Sequence, residues 1–116
     1  MVSLTMFTME LKHEMNEETH NESSCRNGSS VLALGQIVAT PGVLAAVPLE
    51  CITAALHRHA AQDWGIVCED DWKQNDYAAD HNERLLSAYH APDRTKFWII
   101  TEWDRSCTTV LLPEEY

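Results

Sequence analysis

Apolar and polar positions repeat with different periods along the chain, and the changes of period mark its elements. Val31 to Ala39 is an apolar run interrupted only by Gly35 and Gln36, which predicts a buried strand. Thr40-Pro41-Gly42 then supplies an N-cap residue and a proline at a first helical position, so a short helix is expected over Val43 to Val47. Pro48 opens a second helix to about Asp63. Its apolar positions Leu49, Ile52, Ala55, Leu56 and Ala60 follow the spacing of one helix face, and Gly65 stands where a left-handed terminating residue belongs. After a short extended link, Ile66-Val67-Cys68, the acids Glu69-Asp70-Asp71 fall in the first turn of a third helix, where carboxylates favour the positive end of the helix dipole. That helix is expected to run to Asp80 or His81, with Asn82 as its stop.

Beyond Glu83 the period shortens to two. Arg84 to Ala91 reads as a strand, Pro92-Asp93 as a turn, Lys96 to Trp103 as a second strand, Asp104-Arg105-Ser106 as another turn, and Cys107 to Leu112 as a third strand ended by Pro113. Alternation places Phe97, Ile99 and Thr101 on one face of the second strand and Trp98, Ile100 and Glu102 on the other. Both faces begin apolar, so this strand is either central and covered twice or part of a protein interface. The order predicts an α+β fold. Its antiparallel sheet would have about four strands, one N-terminal plus a C-terminal three-stranded meander, with two to three helices on one face.

A chain of 116 residues fits one domain, here expected over residues 31–116. Residues 1–30 differ in composition. Asn16 to Ser30 is polar and rich in serine and asparagine, with too little apolar surface to offset ordering entropy, so 1–30 is expected to be a flexible acidic arm. Within it, Phe7, Leu11 and Met15 permit one helix face, and Leu4 to Met9 would serve equally as a strand. No signal-peptide pattern and no apolar run of membrane-spanning length is present, so a cytoplasmic setting with free thiols is expected for Cys25, Cys51, Cys68 and Cys107.

Net charge changes the functional picture. Eight basic residues against 18 acidic ones give −10, which repels a nucleic-acid backbone and argues against direct nucleic-acid binding. The same field steers a protein towards a basic groove on a partner, although net charge by itself only secures solubility. The acids concentrate in one stretch: Asp63, Glu69, Asp70, Asp71, Asp76, Asp80 and Glu83 surround the single base Lys73. The bland reading is a solvated helix face; the sharper one is a docking surface for a basic partner. Trp72 and Trp103 are the candidate apolar anchors, because tryptophan is favoured at interfaces and Trp103 adjoins a turn.

Other chemistry is poorly supported. His57 and His59 are two apart on one helix and point away from each other, so they cannot share an ion there, and no cysteine spacing matches a zinc motif. The histidines are expected to face solvent. No nucleophile elbow is present, and four unclustered glycines make no cofactor cradle, so no catalytic, cofactor or metal residues are expected.

Several stretches together carry a resemblance: Leu34-Gly35-Gln36-Ile37-Val38-Ala39-Thr40-Pro41-Gly42, Asp63-Trp64-Gly65, Arg84-Leu85-Leu86-Ser87-Ala88-Tyr89, Trp98-Ile99-Ile100-Thr101-Glu102 with Asp104-Arg105-Ser106, and Leu111-Leu112-Pro113-Glu114-Glu115-Tyr116. They resemble a family of small bacterial proteins borne on plasmids and other mobile elements, often labelled "plasmid-related protein" or "type I restriction endonuclease subunit M". The likeness covers nearly all of residues 34–116 and none of the first thirty. Trp103 departs from it, since a small residue is expected between Glu102 and Asp104. The restriction label does not survive a chemical check. Adenine methylation needs a glycine-rich cofactor loop and an Asn-Pro-Pro-aromatic clamp, and Asn75-Asp76-Tyr77-Ala78 lacks both prolines.

What the resemblance implies is a setting of mobile DNA near defence systems. The expectation is therefore a non-enzymatic acidic protein-binding module, an anti-CRISPR or anti-restriction factor whose partner is a nucleic-acid-handling protein with a basic surface. Two alternatives stand beside it: a regulatory or antitoxin-like partner binding through a sheet edge, and a cryptic metal protein or enzyme. A homodimer is compatible with all three.

Overall fold

The computed structural model describes residues 2–3 and 31–116. Its elements in chain order are β1 (Val2–Ser3), β2 (Gln36–Ala39), α1 (Pro41–Ala46), α2 (Leu49–Ala60), α3 (Glu69–His81), β3 (Leu85–His90), β4 (Lys96–Thr101), β5 (Cys107–Leu111) and a 3-10 turn over Pro113–Glu115. The fold is α+β, with sheet order β1-β2-β5-β4-β3. The expected flexible arm, 1–30, lies outside the described residues apart from Val2–Ser3, which pairs antiparallel with Val38 and Ala39.

The meander β3-β4-β5 is antiparallel throughout, with Ile99 opposite both Ser87 and Val110. The N-terminal strand corrects the expectation of a purely antiparallel sheet. β2 lies parallel to β5, Gln36 beside Cys107 and Ala39 beside Val110, so the sheet is mixed. A parallel neighbour requires a crossover, and the three helices between β2 and β3 provide it together with the meander. The predicted strand from Val31 is shorter than expected because Gly35 takes φ +66° and sits against the Arg105-Ser106 backbone, where a Cβ has no room. Only the four residues after it are extended in the ladder.

Alternation sorts the sheet into two faces. Ile37, Ala39, Tyr89, Phe97, Ile99 and Val110 join Val43, Val47, Ile52, Ala55, Leu56 and Ala60 of α1 and α2 in one core. Trp64, Ala78 and Leu85 form a smaller one under α3, with Trp72 packed partly against it. All three helices therefore lie on the same face. The opposite face carries Val38, Leu86, Trp98, Ile100 and Leu111 at the alternate positions.

Local chemistry fixes the helix ends. Thr40 Oγ1 accepts the Val43 N–H at 3.1 Å and so caps α1, with Pro41 at its first turn. α2 ends earlier than the sequence suggests: the left-handed residue that follows its last turn is Gln62 (φ +68°) and not Gly65. Gly65, at φ +80°, instead brings the chain against β3, where Ile66 N–H donates to Ala88 at 2.8 Å and Ala88 N–H donates to Trp64 at 3.2 Å. Asn82 ends α3 in the left-handed region, as its side-chain type favours.

The free edge of β3 is closed. The buried Asn75 amide donates to the Leu86 carbonyl at 2.7 Å and accepts the Leu86 N–H at 3.2 Å, imitating a neighbouring strand with one side chain. With Ala88 paired to Trp64 and Ile66, these groups are no longer available for strand addition.

Candidate functional site

The acidic stretch maps onto α3 and its flanks. Glu69, Asp70, Asp71, Asp76, Asp80 and Glu83 are all exposed. At roughly 100° per residue, Glu69, Asp76 and Asp80 fall within about 40° of one another on one flank, with Asp70 further round the outward side and Asp71 turned away near the N-terminus. Lys73 shares the flank and lies 3.5 Å from Glu69, an exposed i,i+4 pair that is weakly held. Asp76 has a structural task as well, since its carboxylate accepts the indole N–H of the fully buried Trp64 at 2.9 Å.

Asp63 stands apart from this group. Arg58 grips it through two bonds, Nε at 2.8 Å and Nη2 at 3.2 Å, and the Gly65 N–H adds a third at 3.2 Å. The guanidinium hydrogen bond is the main reason its carboxyl is held below the ordinary range. Arg58 also stacks 4.9 Å from the Tyr89 ring, whose hydroxyl donates to the Asp63 carbonyl oxygen at 2.7 Å. Asp63 is thus an internally satisfied anchor of the α2–α3 loop.

The two expected aromatic anchors differ. Trp72 is half-buried against Trp64, Ala78 and Leu85, whereas Trp103 is 64% exposed. Arg105 determines where Trp103 sits. Its Nη1 donates to the carbonyl oxygens of Glu83 (2.7 Å), Glu102 (3.1 Å) and Trp103 (3.3 Å), and its Nη2 to Ala78 (3.0 Å). One guanidinium therefore ties the β4–β5 turn to the C-terminal end of α3 and supplies positive charge where the helix dipole is negative. The backbone at Trp103 is thereby joined to the C-terminal end of the acidic helix.

Sequence reasoning missed two participants. Arg105 read as a turn residue, and its role as a clamp needed the tertiary fold. Tyr77, not singled out from the sequence, is 51% exposed and stacks on His81 with ring centroids 3.8 Å apart. The usable signal was its place seven residues after Asp70 on an otherwise polar helix stripe.

One histidine departs from expectation: whereas His81 and His90 are exposed, His59 is completely buried. Its Nδ1 bonds to Ser87 Oγ and its Nε2 lies 2.8 Å from Thr101 Oγ1. Thr101 is 2.8 Å from Thr108, whose hydroxyl donates to the Leu34 carbonyl at 2.7 Å. A carbonyl only accepts, so every hydroxyl direction follows: Thr108 donates to Leu34, Thr101 to Thr108, and His59 Nε2–H to Thr101. Nδ1 is left as the acceptor for Ser87. Burial, assisted by the charge of Arg105, pushes His59 down to about 3, so the ring is neutral. The Ser87–His59 pairing has the atoms of a nucleophile and its base, but neither side chain has any exposed surface and no substrate reaches it. Its work is to staple α2 to β3, β4 and β5.

Among the described residues no group of three or more His, Cys, Asp or Glu side chains is placed to hold a metal ion, and no helix is long and apolar enough to cross a membrane. Comparison with family models, curated proteins and solved structures gave no match to this chain.

Proposed function

We propose that this chain is a non-enzymatic acidic module that binds a basic, nucleic-acid-handling protein through the outward side of α3 and the adjoining Trp103. The observation that carries the reading is the Arg105 clamp. It ties the backbone of the exposed Trp103 to the end of the acidic helix, which supports a surface combining an apolar anchor with a field that attracts Lys- and Arg-lined grooves. The closed β3 edge weighs against strand addition there as the binding mode. The resemblance to mobile-element proteins suggests the class of partner, a restriction or CRISPR-type defence complex in the cytoplasm, and so an inhibitor that occupies the groove meant for nucleic acid.

The test is binding to purified restriction and CRISPR effector complexes, with and without competing duplex, across a salt series. Charge reversal at Glu69, Asp70 and Asp80 should abolish binding, and affinity should fall as salt rises. Trp103→Ala should weaken binding by about 2 kcal/mol. Affinity indifferent to these substitutions, or undisturbed by duplex, refutes the reading.

A further inference from the structure

Twice among the described residues a tyrosine ring and a carboxylate hold one guanidinium between them. Arg58 stands 4.9 Å over the Tyr89 ring while its Nε and Nη2 bond to Asp63 at 2.8 and 3.2 Å. Arg84 stands 5.4 Å over the Tyr116 ring, with its Nε 3.7 Å from Glu102. The combination suits a flat, weakly hydrated cation: its face lies on the negative face of the ring, and its edge donates to the carboxylate. Tyr77 brings the same two groups to the outward side of α3, where it is 51% exposed. Asp70 lies about 20° round the helix from it, two turns towards the N-terminus, the direction in which a helical tyrosine leans. Asp80 lies about 60° to the other side, and both acids are exposed. Lys73 is drawn aside to Glu69, 3.5 Å away. His81 holds the tyrosine in place: its Nδ1–H donates to the Tyr77 carbonyl oxygen at 2.8 Å, and the two rings lie 9° from parallel. The stack covers one face of the Tyr77 ring, so its exposed surface is the other face and the hydroxyl edge.

We propose that Tyr77, steadied by His81 and flanked by Asp70 and Asp80, is the seat for an arginine side chain of the basic partner. The assignment deepens the reading of α3 as a docking surface and rests on it. Charge complementarity selects a cation, since the chain carries −10 and the acids gather on this helix. The ring then selects among cations. A lysine ammonium is compact and strongly hydrated, and carboxylates alone satisfy it. A guanidinium gains further by lying flat on a ring while its edge reaches Asp70 or Asp80, as Arg58 does on Tyr89 and Asp63. The carboxylates of the two internal examples, Asp63 and Glu102, are engaged by the chain's own arginines, whereas Asp70 and Asp80 face outward. Because His81 already fixes the tyrosine, little side-chain freedom is lost when the cation arrives.

The experiment titrates the full chain into fluorescein-labelled arginine and lysine homopeptides of equal length at one ionic strength, read by anisotropy. The arginine peptide should bind about tenfold more tightly than the lysine peptide. Tyr77→Ala should weaken the arginine peptide alone and bring the two affinities within about twofold of each other, while Tyr77→Phe keeps the preference. Circular dichroism of each variant keeps misfolding separate from lost contact. Equal affinity of the parent for both peptides overturns the arginine seat, as does a preference that survives Tyr77→Ala. If binding is nevertheless lost on charge reversal at Glu69, Asp70 and Asp80, the acidic docking surface stands without the seat. Binding of neither peptide overturns both.

Discussion

Arg105 Nη2 donates to the carbonyl oxygen of Ala78 at 3.0 Å, across 27 residues of sequence. The bond adds a charged donor to a carbonyl at the end of α3 that already accepts the Asn82 and Glu83 N–H groups. Arg105 pays no attention to its own backbone preference, adopting φ +61°. Arg105→Ala keeps that strain and removes four donated bonds, so unfolding free energy should fall by about 2–3 kcal/mol. Arg105→Lys retains charge without the planar fork and should recover only part of the loss. Denaturant unfolding of both variants checks the order.

His59 makes stability depend on pH. Its folded-state value of about 3 lies below the ordinary 6.5. Between those values the unfolded chain binds a proton that the folded chain does not, so stability is full above 6.5 and is lost as pH falls towards 3. The slope should be about 1.4 kcal/mol per pH unit. Asp63, Asp93, Asp104 and Glu115, all held below their ordinary values by hydrogen bonds, act in the same direction in a more acidic window. His59→Gln keeps one donor and one acceptor without titrating. Thermal melts from pH 7 to 5 should therefore flatten in that variant; an unchanged slope would show that another group is responsible.

Asn75 closes the β3 edge with a single amide. Asn75→Ala leaves both polar groups of Leu86 unpaired at a half-buried position, which should cost about 2–4 kcal/mol. Hydrogen exchange at the Leu86 amide should accelerate more than global destabilisation explains, and the newly open edge should raise the tendency to aggregate.

Gly65 combines φ +80° with contact against the Ala88 carbonyl oxygen and the Tyr89 ring. Gly65→Ala should destabilise by about 2–4 kcal/mol, through backbone strain and the forced separation of the α2–α3 loop from β3. Gly42 provides the contrast. An added Cβ there meets only the carboxylate end of the Glu115 side chain, which can swing aside. Gly42→Ala should be the milder change in the same melt.

Local signals made much of this fold legible. The period of Ile52, Ala55, Leu56 and Ala60 located α2, and the first-turn acids with Asn82 bounded α3 to within a residue. The alternation of Phe97, Ile99 and Thr101 gave the correct buried face of a strand that is central. What escaped was non-local. No pattern within β2 says that its neighbour is β5 in parallel. Gly35 and Gly65 announce special backbone without saying which distant strand they approach. His59 looked like a polar residue on a helix because its partners, Ser87 and Thr101, arrive from strands 28 and 42 residues later. In the acidic region, composition identified the charged residues, but only the fold separates Asp63, already paired with Arg58, from the outward carboxylates of α3.

The parallel union of β2 and β5 also bears on how the chain assembles. It joins positions about 70 residues apart, so its loop-closure entropy is large, while the hairpins β3-β4 and β4-β5 close over a few residues each. The meander is the natural nucleus, and β2 is the seam sewn last, with α1 and α2 carried along to cover the apolar side. Substitutions in β2 should then accelerate unfolding and leave the refolding rate nearly untouched, while those at the β3–β4 turn should slow refolding.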